Sequence, residues 1–314
     1  MPGKLLNYIC FNFRLKLLRR YQRSLVTLAN YSTTTIMQSY STQIPLIRNF
    51  DFCVLMPAHN NFIGLVESIK SIAYKKDRYV ILIVDDGSKI PVTKTTLYEH
   101  FSTAINIEVI RLAHNQGITI ALNTGLEYIY NNFSVQFIAR LDCSDICTPE
   151  RFHTQVEYLR SNKDIDLIGS WCYFKNNESG LAYKYITPTE HERIKRSMNF
   201  RNVFIHPTVM WRFSASKQLK YPADYQYAED YGLFYEMICT MKSAIINQYL
   251  VTCEINQTGI SIKNRSVQLK SRLKVISFYG KNEVLAFLGA IKLRLMMMIP
   301  HQFIFFTKNL IYKV

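Results

Sequence analysis

YVILIVDDGS, residues 79–88, decides the fold: a run of apolar residues goes straight into Asp85, Asp86, Gly87 and Ser88. The run reads as a buried strand, and the D-G step ends it in a turn. Carboxylates beside a core lose solvation, which is costly unless they hold something. A cation, a sugar hydroxyl or a reacting proton would each explain them. Two further acidic clusters stand at similar places. Asp142-Cys143-Ser144-Asp145 follows VQFIARL (135–141), and Glu229-Asp230 lies in YAEDYGLFYEM (227–237).

Working outward, FCVLMP (52–57) reads as a strand before residues 79–84 and NFIGLVESIKSIAY (61–74) as the helix between them. INIEVIRL (105–112), VQFIARL and IDLIGSW (165–171) are further strands. NQGITIALNTGLEYIY (115–130) carries apolar residues at helical spacing, and Pro149-Glu150 opens a helix over RFHTQVEYLR. Short apolar strands alternating with helices predict an α/β fold: a mainly parallel, Rossmann-like sheet covered on both faces. Ligands of such sheets bind at the carboxyl ends of the strands, where the acids fall. Beyond residue 170 the pattern loosens, and Glu229-Asp230 opens a helix.

The 314 residues carry a net charge of +15, with 48% hydrophobic and 19% charged residues. This composition is globular. Seven scattered cysteines without a C-x-x-C pair argue against a disulfide framework or a zinc site and point to reduced thiols. The charge is unevenly placed. Residues 1–50 hold +7 and no acid, residues 261–314 hold +9, and the body between them is left with −1. A neutral body speaks against a nucleic-acid groove, and basic ends suit an anionic surface. The expected organisation is a basic amphipathic extension over 1–50, an α/β domain over 51–261 and a basic, apolar helical region over 262–314. Leu6, Cys10, Phe13, Leu17 and Tyr21 form a helical stripe. It suits a helix packed on the core, a helix lying on a membrane or a transit peptide. At the other end, Lys292, Arg294 and Pro300 interrupt the apolar run of 284–306. Monotopic attachment with snorkelling cations fits it better than a spanning helix, and core packing is the competing reading.

Each acidic cluster has a plain structural reading beside the functional one. Asp85-Asp86-Gly87-Ser88 can be only a turn, or can accept the ring N–H of a uracil. Asp142, Ser144 and Asp145 offer oxygen ligands for Mg²⁺ or Mn²⁺ shared with phosphates, or Asp145 can cap a helix. Glu229-Asp230 suits a helix N-terminus electrostatically, or can supply a general base. A single histidine such as His206 is more often structural than catalytic.

In order, VLMPAHN, VDDGS, HNQGITIALNTGL, ARLDCSD with TPERF, HPTVMWR and AEDYGLFYEM resemble the inverting family 2 glycosyltransferases over roughly 51–261. The resemblance implies the A-type glycosyltransferase fold. It also implies transfer of a sugar from a nucleoside diphosphate sugar, a UDP-sugar by expectation, to an acceptor hydroxyl with inversion. Pro57, Asn60, Asp85 and Asp86 would hold the nucleotide, with Asn115, Gly117, Asn123, Arg140, Asp142 and His206 completing the donor site. Asp142, Ser144 and Asp145 map to the metal-binding run, with Mg²⁺ or Mn²⁺ as the cation. Glu229 and Asp230 map to the Glu-Asp pair whose Asp is the base. Two positions depart from the pattern. Ser144 stands where the family has a metal-binding Asp, and Cys253-Glu254-Ile255-Asn256 replaces Tyr-Arg-x-His. They motivate an alternative: a catalytically weakened, nucleotide-sugar-binding or partner subunit. The implied acceptor is a glycan or glycolipid in surface polysaccharide synthesis. The implied location is cytoplasmic, peripheral on the cytosolic face of an anionic membrane, with no nucleic-acid partner.

Overall fold

The computed structural model describes residues 49–101, 105–176, 180, 182–216, 218–255 and 263–299. The N-terminal stripe from Leu6 to Tyr21, Asn256 and Pro300 lie outside them. Strand and helix alternate first: β1 (Asn49–Ala58), α1 (Phe62–Lys70), β2 (Tyr79–Asp85), α2 (Lys94–Tyr98), β3 (Asn106–Arg111), α3 (Ile118–Asn132) and β4 (Ser134–Arg140). A less regular half follows: β5 (Ile146–Cys147), α4 (Arg151–Ser161), β6 (Leu167–Lys175), β7 (Ala182–Tyr185), α5 (His191–Met198) and β8 (Met210–Arg212). Then come α6 (Glu229–Thr240), β9 (Ser243–Glu254), α7 (Arg265–Tyr279) and α8 (Glu283–Met298).

All nine strands of the described residues join one sheet in the order β3-β2-β1-β4-β8-β6-β9-β5, with β7 on β6. The four strands β3-β2-β1-β4 are parallel, as their intervening helices require. The fifth apolar strand of the sequence, β6, does not continue that series. The three-residue β8 is wedged between β4 and β6, antiparallel to both. β9 then pairs parallel to β6. The sheet is therefore parallel in its first half and mixed in its second.

Period-two alternation sends successive side chains of β1 and β2 to opposite faces. Cys53, Leu55, Val80, Leu82 and Val84 meet Ala121, Leu122, Leu126 and Ile129 of α3, together with α6 and α7. Phe52, Val54, Met56, Ile81 and Ile83 meet Leu65 and Ile69 of α1 and Phe152, Val156 and Leu159 of α4. Each such side chain contributes about 1.5–3 kcal/mol on burial, so two filled faces hold the central strands in place. The C-terminal helices share this packing: Leu269, Val275, Ile276 and Leu293 are buried in the α3-side core.

At the amino end of the sheet, the buried Asp51 is fully engaged. Arg78 lies 2.5 Å away, Arg160 2.8 Å, and Tyr74 donates a hydrogen bond at 2.9 Å. The acids at the carboxyl end are placed differently.

Candidate active site

The first acidic cluster knits together the ends of β1 and β2. Asp85 is buried and spent on its own turn. One carboxylate oxygen accepts from the Ser88 amide at 2.9 Å, the other from Val92 at 3.1 Å and from Arg111 at 2.5 Å. Burial alone would raise its pKa, but the Ser88 and Val92 bonds and the Arg111 guanidinium reverse this and hold it below the usual carboxylate range. Asp86 faces the other way. Its two oxygens accept from the backbone amides of Gln116 at 2.7 Å and Gly117 at 2.9 Å, anchoring the loop that leads into α3. Gly87, at φ +66°, makes the turn, and a Cβ there would strike the His114–Asn115 backbone. Asn60 closes the cradle: its amide donates to Ser88 Oγ at 2.9 Å and its Oδ1 accepts from the Lys89 amide at 2.8 Å. Asn115 is exposed beside it. Pro57 precedes the cradle, and its carbonyl accepts from the Cys143 thiol at 3.4 Å. These bonds hold Asn60, Asp86 and Gly117 together at the ends of β1 and β2, with Asp85 as the internal brace.

The second cluster stands at the end of β4, next to β1. Arg140 is fully buried and every arm of it is used. It donates to the Leu55 carbonyl, to Asp142 and, through Nε, to His206 Nε2 at 3.1 Å. His206 Nε2 also accepts from the Tyr221 hydroxyl at 2.9 Å. Two donors at Nε2 place the ring proton on Nδ1, which faces Asp142 Oδ2 at 3.9 Å. Burial, helped by the Arg140 charge, lowers the His206 pKa to about 3, so the ring is neutral and makes no ion pair. Burial pushes Asp142 up, yet Arg140 outweighs it and keeps the carboxylate ionised. Asp142 retains 30% exposure of its side chain.

The other two candidate ligands of this loop, Ser144 and Asp145, are bonded elsewhere. Ser144, at φ +74°, accepts from Asn61 Nδ2 at 3.1 Å, and its amide donates to the Gly64 carbonyl. It lines a groove of about 680 Å³ with Glu67, Lys70, Lys175 and Thr252. Asp145 is buried and accepts from the Glu254 amide at 2.8 Å. Burial and the Asp142 charge push its pKa well above the carboxylate range. Among the described residues no three Asp, Glu, His or Cys side chains gather as a cation cage. The donor set fits a cation held largely by phosphate oxygens, with Asp142 as the exposed protein carboxylate, since Mg²⁺ is usually bound this way.

The third cluster opens α6. Asp230 accepts from Asn202 Nδ2 at 2.9 Å. Its pKa is raised, chiefly by burial, against the Tyr231 amide, Asn202 and the Arg272 charge. Glu229 is buried, and its Oε2 has no partner among the described residues. Burial, with Asp230 beside it, pushes its pKa up to about 7. The helix N-terminus alone would do the opposite, so desolvation wins here. The Asp142 charge acts on both Glu229 and Asp230, so the second and third clusters share one field.

Asn123 belongs to none of the three clusters. Its side chain makes a reciprocal pair with Tyr221, donating to the carbonyl at 2.9 Å and accepting from the amide at 2.7 Å. It acts through Tyr221, which reaches His206. Tyr221, Asn202 and Arg111 are absent from the expectations drawn from sequence. Of these, only Arg111 leaves a trace in the pattern, as a cation ending the strand paired with Asp85.

Comparisons with known proteins speak to the family and the fold. The family model for glycosyl transferase family 2 matches residues 53–219. The bifunctional glycosyltransferase pgtA of Dictyostelium discoideum is 27% identical over 257 residues, covering 70% of this chain and 33% of its own length. The amylovoran biosynthesis glycosyltransferase AmsE of Erwinia amylovora is 28% identical over 190 residues, 58% of this chain and 68% of its own. The chain thus spans only a third of the length of pgtA. Among solved structures, S. aureus TarS 1-349 with UDP-GlcNAc superposes with a TM-score of 0.57 at 14% identity, over 73% of this chain and 66% of that one. The mannosyltransferase PcManGT of Pyrobaculum calidifontis, with GDP-Man and Mn²⁺, gives 0.53 at 12% identity over 83% and 70%. At these identities the structures speak to the fold, which is the A-type glycosyltransferase fold. With more than half of its residues inside the family match and that fold around its acidic clusters, this chain belongs to glycosyl transferase family 2.

Proposed function

We propose that the chain transfers a sugar from a nucleoside diphosphate sugar, a UDP-sugar, to an acceptor hydroxyl with inversion. One observation carries this reading: Asp230, aimed by Asn202, lies in the same field as the partly exposed Asp142. An inverting displacement needs a base on the acceptor side and a binding site for the departing diphosphate on the other. Asp230 takes the acceptor proton, and its raised pKa brings it closer to the working pH of a base. Asp142, braced by Arg140, faces the diphosphate. The Asp86 cradle seats the nucleotide, with Asn60, Asn115 and Gly117 around it. His206 stays neutral and fixes Asp142 and Tyr221. A divalent cation, Mg²⁺ or Mn²⁺, bound with the donor would neutralise charge on the leaving diphosphate. The GDP-Man and Mn²⁺ of PcManGT and the UDP-GlcNAc of TarS support a nucleotide-sugar donor with a cation.

The acceptor in this reading is a glycan or glycolipid, and AmsE supports a place in surface polysaccharide synthesis. Among the described residues no helix is long and apolar enough to cross a membrane. The basic ends support peripheral attachment to the cytosolic face. A second reading, a catalytically weakened partner subunit, is favoured by Ser144, whose hydroxyl is already occupied by Asn61. A nucleotide-sugar hydrolysis assay with and without Mn²⁺, joined to a thermal-shift screen of nucleotide sugars, separates the two. A donor that raises the melting temperature and is turned over supports the transferase. Stabilisation without turnover supports the weakened subunit, and no stabilisation by any donor sinks both.

A further inference from the structure

Three cations gather near the residues that hold the candidate base. Arg201 precedes Asn202, whose side chain holds Asp230 at 2.9 Å. The Arg272 guanidinium lies 5.8 Å from the ring centre of Tyr231, the residue after Asp230. Gly289 presses α8 so tightly onto the end of α5 that a Cβ there would overlap the Asn199 carbonyl. One turn further along α8 stands Lys292, beside Arg201. Burial lowers the Lys292 pKa, and the charges of Arg272 and Arg201 lower it further, so the three share one field. Among the described residues none of the three makes an ion pair. Among the described residues Arg201 is held by the Tyr185 hydroxyl, at 2.8 Å, and by that ring. Like charges gathered in this way repel, and a bound anion relieves the repulsion. Two guanidinium groups and an ammonium match phosphate oxygens.

The helix that carries Lys292 also presents an unusual outer face. Val284, Phe287, Leu288, Ile291, Leu295 and Met298 recur at spacings of three and four and are 36–80% exposed. Gly289 and Leu293 on the inner face are buried, so the helix is docked and not merely loose. Lys292 borders this stripe. The exposed Lys270, Lys274, Lys281 and Arg294 lie on α7, α8 and the turn between them, against the single acid Glu283. The sequence beyond, IPHQFIFFTKNLIYKV, stays apolar and basic. An apolar stripe bordered almost only by cations complements an anionic bilayer surface, where each Lys or Arg attracts anionic headgroups and apolar side chains insert.

We propose that α8 lies on the bilayer through this stripe and that Arg201, Arg272 and Lys292 bind the phosphates of a lipid-carried diphosphate acceptor. The site rests on the transferase reading above and names its acceptor class. The acceptor sugar then reaches Asp230 from the membrane side, while the donor occupies the Asp86 and Asp142 side.

The test is flotation of the full chain with three kinds of vesicle. They are phosphatidylcholine alone, phosphatidylcholine with phosphatidylglycerol, and phosphatidylcholine with a prenyl diphosphate lipid at matched surface charge. Both anionic vesicles should bind, the diphosphate ones at least tenfold more tightly. The double variant Arg272→Gln with Lys292→Gln should lose that preference and keep phosphatidylglycerol binding within about threefold. Phe287→Ser with Leu295→Ser should weaken both by tenfold or more. Phe287→Trp gives a second reading that does not depend on those variants: its emission should shift to the blue on adding either anionic vesicle. Equal binding to the two anionic vesicles overturns the phosphate site, as does a preference that survives Arg272→Gln with Lys292→Gln. Removal of the preference by free UDP also overturns it, because the cluster would then serve the donor. An unshifted Phe287→Trp spectrum, or flotation untouched by Phe287→Ser with Leu295→Ser, overturns α8 as the docking element and leaves residues 1–50 to account for any binding. Thermal stabilisation by a nucleotide sugar is measured in parallel. Its absence with the vesicle preference intact fails the transferase reading alone, and the reverse result fails this proposal alone.

Discussion

At the scale of single residues, the three acidic clusters carry three different electrostatic states. Asp85 is ionised and consumed by its turn, Asp142 is ionised by Arg140, and Glu229 sits near neutrality with an unpartnered oxygen. The sequence makes all three look alike, because burial and partner are properties of the folded site. Asp230→Asn tests the base: transfer should fall about 10²–10⁴-fold while nucleotide-sugar stabilisation persists, and near-native turnover would remove Asp230 from the mechanism. Glu229 gives a stability test. Its folded pKa, about 7, lies above the ordinary 4.5. The folded state therefore favours the protonated form, and its contribution is complete below pH 4.5 and is lost as pH rises through 7. An offset of that size corresponds to roughly 3 kcal/mol. Glu229→Gln should leave the melting temperature unchanged near pH 4.5 and raise it at pH 8. A melting curve that tracks wild type across the whole range would place the carboxylate in contact with water. Ser144→Asp bears on the cation. It adds the hard ligand the family pattern expects, so a Mn²⁺ titration of activity should move to lower concentration. An unmoved titration would mean that the 680 Å³ groove lined by residue 144 is not where the diphosphate and its cation bind.

At the scale of elements, the parallel half was legible and the mixed half was not, for a physical reason. Strands β1, β2, β3 and β4 are short apolar runs separated by amphipathic helices, and parallel pairing follows from that alternation alone. Strand β8 is three residues long, too short for any period, and its antiparallel insertion between β4 and β6 depends on long-range pairing. The role of Asn123 was hidden for the same reason. It sits on α3 at helical spacing, as expected, but its side chain reaches Tyr221, 98 residues away. This pair fixes the strand-end loop that brings the Tyr221 hydroxyl to His206. Asn123→Ala should leave two backbone groups of Tyr221 without partners, each worth about 1–3 kcal/mol if they stay buried. A lower melting temperature together with a weakened donor KM is the expected pair of effects. Loss of donor binding at an unchanged melting temperature would instead mean that Asn123 touches the nucleotide directly.

At the scale of the whole molecule, the charge split was visible in the sequence, whereas the function of the last helices was not. Core packing and membrane contact looked like rival readings of residues 262–314. The structure gives α7 and α8 an inward apolar face and α8 an outward one, so the two readings do not compete. A hydrophobicity pattern cannot separate them, because a helix apolar on both sides has little periodicity to read. The packing has a consequence for where the domain ends. The sequence suggested a border at 261, and we propose instead that α7 and α8 count as part of the glycosyltransferase unit. Leu269, Val275, Ile276 and Leu293 are each no more than 2% exposed. Removing residues 263–314 strips all four from the α3-side core and uncovers the residues they cover. At about 1.5–3 kcal/mol per side chain, the loss is about 6–12 kcal/mol, comparable to the entire stability of a typical domain, about 5–15 kcal/mol. A chain ending at residue 262 should therefore be largely unfolded, with no cooperative thermal transition by circular dichroism and no stabilisation by nucleotide sugars. The Phe287→Ser with Leu295→Ser variant, altered only on the outer face, should melt as the intact chain does. Cooperative melting of the truncated chain at the temperature of the full one would detach α7 and α8 from the core and restore the border at 261.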